Sequence, residues 1–292
     1  MGVYNIYQWL IFFYIYCFFG WCIESTIVSV EDKRLVNRGF LNGPFLPIYG
    51  FGAIIVLFIT LPFKKNIIEV YFLGMIGATI LEYFTGCLME AIFKIKYWDY
   101  SYYKIQYKGR ICLVSSLFWG VLSVLLTYFI HKPIEKYVLN LNSTLIIFLD
   151  IVISIFFVAD IIVSAKASID LNKLIEKSSK VFYEIKDLNR QIEDLIVRYG
   201  REISVDREHS NKIMESINLL KEKIDTMSLN IKKEYSKLNY MKNRILKDHP
   251  TGSFIKFNFK FKDFKETILN KYDAEKNIME NKRKQFIEKF KL

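Results

Sequence analysis

The sequence predicts an all-α fold: a polytopic membrane helical bundle of about five transmembrane helices, followed by a cytoplasmic helical, coiled-coil tail. Three observations predict it. Apolar stretches long enough to cross a bilayer recur through the first 165 residues. Charge is scarce there and dense afterwards. The apolar spacing then switches to heptads. Residues 1–165 carry 12 Lys+Arg and 10 Asp+Glu, the remaining 127 carry 29 and 20, and the net charge of +11 therefore divides as +2 and +9. Two halves so unlike belong in two solvents. The expected domains are a transmembrane bundle over 1–165, coiled-coil helices over 166–248, and a basic, aromatic and charged segment over 249–292.

Each span needs about 20 mainly apolar residues, and five stretches supply them: 4–30, 45–63, 67–93, 111–130 and 144–165. The N-terminus lacks a basic region ahead of its apolar run, which reads as a retained helix rather than a cleaved signal. In the second stretch, Pro44, Pro47, Gly50 and Gly52 predict either a kinked start or a re-entrant segment. The basic residues alternate between loops. Lys33, Arg34 and Arg38 lie in the first, Lys64 and Lys65 in the second, five in the third, and Lys132 and Lys136 in the fourth. The positive-inside rule then puts the N-terminus outside and loops one and three, with the tail, in the cytoplasm of a multi-pass cell-membrane protein.

After Ala165 the heptads begin. Leu171, Leu174, Val181, Ile185, Leu188, Ile192 and Leu195 follow steps of three and four, with Ser178 in the one gap. Ile213, Ile217, Leu220, Ile224, Met227, Ile231, Leu238, Met241 and Ile245 repeat the pattern, with Glu234 interrupting. Two such helices pair as a hairpin or join a second copy into a homo-oligomer, and the pattern permits both. His249-Pro250-Thr251-Gly252 ends the second run. Aromatic and basic residues alternate over 254–264, as in a short strand or a membrane-surface anchor, and a charged helix follows from Glu266. The basic excess is tethered beside a bilayer, so lipid headgroups rather than nucleic acid are its expected partner. Cys17, Cys22, Cys87 and Cys112 lie in or beside apolar segments and read as small buried hydrophobes.

The expensive residues carry the functional information. Glu24, Glu82, Glu90, Asp150 and Asp160 stand within apolar spans, where a carboxylate costs about 2.5–3.5 kcal/mol at mid-depth. Gly74, Ala78, Glu82, Gly86 and Glu90 recur every fourth residue, forming one face of the third span that lets another backbone approach. Gly20 and Glu24 repeat the device in the first span, and Ser116, Gly120, Ser123 and Thr127 give the fourth a small polar face. Arg38 and Arg110 lie at the same end as these carboxylates. The expected substrate-binding wall is therefore Glu24, Arg38, Glu82, Glu90, Asp99 and Arg110, unless the pairs serve only to fix helix packing.

No GxxxxGK[ST] is present, so the chain carries no ATPase motif of its own, and no HExxH is present. The three histidines, His131, His209 and His249, fall outside the expected spans, which excludes a histidine triad or zinc site within the bundle. No cofactor or metal is implied.

Several stretches together resemble the ABC-transporter permease family designated type IV. They are Asn37-Arg38-Gly39-Phe40-Leu41-Asn42-Gly43-Pro44 with Pro47-Ile48-Tyr49-Gly50, Gly20-Trp21 with Glu24, Leu81-Glu82-Tyr83 with Glu90, Trp98-Asp99-Tyr100-Ser101, and Gly109-Arg110-Ile111-Cys112-Leu113 with Trp119-Gly120. The resemblance spans about residues 20–120 and implies transport with a separate ATP-binding subunit. It supplies no catalytic residues. Two other readings stand beside it: a membrane-embedded enzyme or lipid-binding protein that uses carboxylates and arginines, and a membrane-anchored coiled-coil scaffold or sensor.

Overall fold

The computed structural model describes residues 4–199, 207–236, 238, 240–249, 252–254, 259–260, 277, 280–281 and 284. Helix dominates them, and four helices are long and apolar enough to cross a membrane. The chain is a polytopic helical membrane protein. The helices are α1 (Ile6–Asp32), α3 (Ile67–Phe93), α4 (Leu113–Leu125) with its continuation, and α6 (Ser143–Tyr199). The Asn5 side chain and Gln8 cap the start of α1 reciprocally, and Asn66 caps α3. Both helices end on a lysine in the left-handed conformation, Lys33 and Lys94.

The second apolar stretch is shorter than a full span. It enters extended at Phe45 and Leu46, becomes helix α2 (Pro47–Thr60) with Pro47 in the first turn, and closes in a 3₁₀ turn at Leu61–Phe63. Fourteen residues at 1.5 Å each give about 21 Å, well under the ~30 Å of a hydrocarbon core. The loop before α2 makes up the difference by folding back along α1. Its backbone is held by one stripe of that helix. The Ser29 hydroxyl accepts from Val36 N–H, Ser25 accepts from Arg38 N–H, and the Cys17 carbonyl accepts from Leu46 N–H. The Trp21 indole of the same stripe donates to Asn37. Irregular backbone at membrane depth is tolerated where such bonds satisfy it.

The fourth span differs from expectation in the opposite sense. α4 does not stop near Ile130. It passes through a π-helical turn at Leu126–Ile130 into α5 (His131–Leu139), one continuous helix to Leu139. His131 therefore lies within the span and is buried, which corrects its expected place outside the bundle.

The chain forms two compact units. The first comprises Met1–Ile169 and Met241–Lys262. Its core gathers Phe12, Ala53, Val56, Leu57, Ala78, Leu126, Val138 and Ile146, beside a second cluster of Phe13, Tyr14, Cys17, Leu41 and Phe157. Glycines set the closest approaches: a Cβ on Gly20 would stand 2.2 Å from Tyr49, and one on Gly74 would stand 2.3 Å from Ser123. The α8 helix (Tyr240–Asp248) belongs here. So does β4 (Ser253–Phe254), which pairs antiparallel with β1 (Ile95–Lys96) and with β5 (Phe259–Lys260). The hairpin of β2 (Gln106–Tyr107) and β3 (Ile111–Cys112) completes the short strands.

The second unit comprises Asp170–Tyr240 and Asp263–Leu292. In it the later part of α6 and α7 (Arg207–Ser236) run antiparallel, as the ion pairs Lys177–Glu234 and Glu184–Lys223 require. Heptad residues Ile185, Leu188, Ile192, Ile217, Ile224 and Ile231 are buried. Ser178, in the register's gap, takes a 3.1 Å hydrogen bond from the Tyr235 hydroxyl. The helix expected to run on to Asp248 ends at Ser236, and α8 is a separate element. Most of the expected alternating segment and final charged helix lie outside the described residues.

Candidate functional site

The polar residues of the first unit collect around α3. Glu90 and Arg110 form a bidentate pair, with Nε to Oε1 at 3.1 Å and Nη2 to Oε2 at 2.6 Å. The fork of a guanidinium fits a carboxylate in this way. Gly86 makes the approach possible, because the Arg110 methylenes lie 3.4–3.5 Å from where its Cβ would be. The guanidinium also lies over the Tyr83 ring, 5.5 Å from its centroid. These hydrogen bonds to Glu90 hold Arg110 more firmly charged than an ordinary arginine.

Loop three places Arg110 by local means. Three residues join β2 to β3, and Lys108 and Gly109, both at positive φ, are the central pair of the turn that Arg110 N–H closes on the Tyr107 carbonyl at 3.1 Å, the combination that matches strand twist. A Cβ on Gly109 would stand 2.2 Å from Asp99 Oδ1. The Trp98 indole donates to the Arg110 carbonyl at 2.9 Å. Asp99 does not reach the Arg110 side chain. It accepts from the Ser101 N–H and hydroxyl and lies 3.7 Å from Lys96 Nζ, so it orders the loop.

Glu82, one face up on α3, is 4% exposed and has three donors, all neutral. The Tyr100 hydroxyl (3.2 Å), the Ser115 hydroxyl (3.1 Å) and the Trp119 indole (3.2 Å) point at its two oxygens. Burial, then the nearby carboxylates Glu82 and Glu24, push the Tyr100 phenol well above its usual range, so it remains a donor. The Trp119 ring packs 5.1 Å from that of Tyr49, whose hydroxyl donates to Glu24 at 2.8 Å. Glu24 lies 3.9 Å from Arg38 Nε. The structure thus links Glu24 and Glu82 through Tyr49 and Trp119. It pairs Glu24 with Arg38 and Glu90 with Arg110, and it sets Asp99 apart in its loop.

Sequence reasoning named Asp160 as an expensive carboxylate without finding its partner and passed over Arg244, and both hold this region. Asp160 of α6 clamps loop one: Oδ1 accepts from the Asn42 N–H at 3.0 Å and Oδ2 from the Gly43 N–H at 2.7 Å. Arg244 of α8, 4% exposed, donates to the carbonyls of Gly39 (2.8 Å) and Phe40 (3.0 Å). Arg34 bonds Asp248 at 2.8 Å, and Arg38 bonds the Asp248 carbonyl at 3.2 Å and His249 Nδ1 at 3.3 Å. A turn-rich loop one was the only signal, and it does not name partners so distant in sequence. Asp150 is buried with neither oxygen hydrogen-bonded in the structure, and nothing here explains it. On the fourth span, Gly120 meets the Tyr71 ring, and Thr127 bonds Thr60 at 3.1 Å.

A bundle of apolar helices with buried, paired carboxylates and arginines fits a membrane transporter-like protein. The family model described as "Putative ABC-transporter type IV" matches residues 11–165, more than half of the chain, and the protein belongs to that family. No curated protein and no solved structure matches the chain.

Proposed function

We propose that the chain is the membrane-embedded subunit of an ABC-type transporter. Its energy comes from a separate ATP-binding subunit, and its substrate site is built on Glu24, Arg38, Glu82, Glu90, Asp99 and Arg110. The observation that carries this reading is Glu82: a buried carboxylate inside a span, served by three neutral donors, on the same helix face as the Glu90–Arg110 pair. A charge placed so expensively marks function more often than packing. In this reading Glu82, with Tyr100, Trp119 and Tyr49 around it, contacts substrate. The two arginine pairs hold the helices that open and close it, and Asp99 shapes the loop that carries Arg110. The positive-inside count of the loops puts this site in the cytoplasmic half of the bundle, nearest the ATP-binding subunit, with the N-terminus outside.

Both arginines are engaged by carboxylates, which disfavours the alternative of a lipid-phosphate grip. The test has two parts. The full-length protein, purified in mild detergent, is expected to bring down a stoichiometric ATP-binding protein. Glu82→Gln is expected to abolish substrate-stimulated ATP hydrolysis by that complex while leaving its assembly intact. No stable ATPase partner, together with an unchanged variant, would sink the reading.

A further inference from the structure

At a distance from the carboxylate–arginine cluster, a second group of titratable side chains is buried in the bundle. His131, 2% exposed, begins α5 where the π-helical turn ends. Its Nε2 lies 2.9 Å from the Tyr4 hydroxyl and its Nδ1 lies 2.7 Å from the Tyr16 hydroxyl. The Tyr4 hydroxyl also donates to Glu135 Oε1, one turn along α5, at 2.5 Å. Phe12 packs edge-on against the imidazole, 5.2 Å between centroids. Tyr4 from the N-terminal segment, Tyr16 from α1 and Glu135 from its own helix are the titratable groups that face it. Glu135 is only half-buried, so this end of the chain of bonds meets the surroundings.

The donors can be assigned by counting protons. A phenol has one proton to give. Burial and the bond to Glu135 push the Tyr4 phenol above its ordinary range, so it is protonated and its proton goes to the carboxylate. Tyr4 must then accept from His131, which puts the ring proton on Nε2. Nδ1 is left as an acceptor, and Tyr16 fills it. The four groups form a wire with one direction: Tyr16 O–H to Nδ1, Nε2–H to Tyr4, Tyr4 O–H to Glu135. Every polar atom of the imidazole is satisfied, and no donor is left over.

We propose that Tyr16, His131, Tyr4 and Glu135 form a proton-binding site, which takes up one proton and stores it on His131 against the Glu135 counter-charge. The balance is one proton gained from water and no other atom exchanged. Tyr16 passes its hydroxyl proton to Nδ1 and is itself reprotonated from water, so it turns from donor to acceptor. The bonds from Nε2–H to Tyr4 and from Tyr4 O–H to Glu135 are kept, and Glu135 balances the imidazolium through Tyr4. The signature is a proton on Nδ1 with Nε2 still protonated. Tyr16 stands two turns from Glu24 on one face of α1, about 12 Å away at 1.5 Å per residue. The proton site is thus distinct from the proposed substrate site and does not rest on it.

The chain has three histidines, so ¹⁵N-histidine labelling of the full-length protein in lipid nanodiscs resolves each ring, and His131→Gln identifies the resonance. The expected result is Nε2–H alone at alkaline pH, with Nδ1 gaining a proton in a single step as pH falls. In Glu135→Gln that step is expected to move to lower pH by about one unit or more, because the group that balances the proton is gone. Tyr4→Phe, which breaks the bridge between them, is expected to shift it the same way and serves if the first variant does not fold. A ring already protonated on Nδ1 at alkaline pH, one that never gains the proton, or a midpoint unmoved in the folded variant overturns the proposal.

Discussion

Loops one and three each deliver an arginine to a glutamate of the bundle, and they are built on opposite plans. Loop three begins on distant partners, with Ile95 and Lys96 paired to β4 and the Tyr97 hydroxyl bonded to Ser168, but from Trp98 on it is held chiefly from within. Its hairpin turns on Lys108 and Gly109, Asp99 bonds Ser101 two residues on, and Trp98 reaches the Arg110 carbonyl twelve residues on. Loop one, besides its stripe of contacts to α1, is held by residues far along the chain. Asp160 lies 118 positions from Asn42, and Arg244 lies 205 from Gly39. The first loop therefore depends on elements that must already be folded, and the third depends chiefly on its own turn. Two basic loops of the same bundle can thus have quite different vulnerabilities.

The comparison is broken most forcefully at Arg110. Arg110→Met leaves Glu90, only 12% exposed at its side chain, without its bidentate partner. Removing one member of such a pair costs about 3–5 kcal/mol, and unfolding in detergent is expected to shift accordingly. Exchanging both residues for Met is expected to recover most of the loss. Hydrogen exchange should rise over residues 98–112 and stay unchanged over 37–43. If loop one loosens as well, the two loops are one structure and the contrast drawn here fails.

The next perturbation acts on loop one alone. Arg244→Met deletes the guanidinium that serves the Gly39 and Phe40 carbonyls, and hydrogen bonds from a charged donor are worth about 1.5–3 kcal/mol. A loss of about 2 kcal/mol is expected, with faster amide exchange over residues 37–43 and none over 98–112. An unchanged exchange pattern would show that Asp160 and α1 suffice.

The contrast also explains what the sequence could disclose. Spans declare themselves by apolar length, and the Gly74–Glu90 face declares itself by its period of four. Within loop three, Lys108-Gly109 is a local turn signal. Nothing comparable announces that Asp160 cups the amides of Asn42 and Gly43, because a carboxylate in a span names no partner. The same is true of His131. A run of His131, Lys132 and Pro133 looks like the end of a helix, yet Pro133 falls in the first turn after a π-helical turn and the helix continues through it. A π-helical turn already slips the backbone register there, which eases the carbonyl that a proline leaves without its helical donor. Neutral donors such as Tyr100, Ser115 and Trp119 converge on Glu82 from two elements, and only the fold brings them together.

The smallest effect concerns pH and again separates the loops. His249 is buried beside loop one. Its Nδ1 faces the Arg38 guanidinium, which can only donate, so the ring holds its one proton on Nε2 and is neutral. Burial, and then the charges of Arg38 and Arg244, lower its pKa well below the usual histidine range. The folded protein therefore refuses a proton that the unfolded chain accepts once pH falls below about 6.5. Above that pH both states are neutral and His249 has no effect. Below it the unfolded state binds more protons, so stability falls by up to about 1.4 kcal/mol per pH unit until the folded-state value is reached. Unfolding of the parent and of His249→Gln, followed from about pH 7.5 to about pH 5.5, roughly one unit either side of 6.5, isolates this contribution, since the carboxylates titrate alike in both. The gap between the two curves is expected to change only below pH 6.5 or so, in favour of the variant, and exchange over residues 37–43 is expected to follow it. Tyr97, on which the His249 ring packs edge-on at 5.1 Å, is expected to respond with loop one, whereas the loop-three hairpin, whose arginine is locked to Glu90, should not respond over the same range. A gap that is constant with pH would mean that His249 takes up its proton alike in both states, and that loop one tolerates a third positive charge beside Arg38 and Arg244.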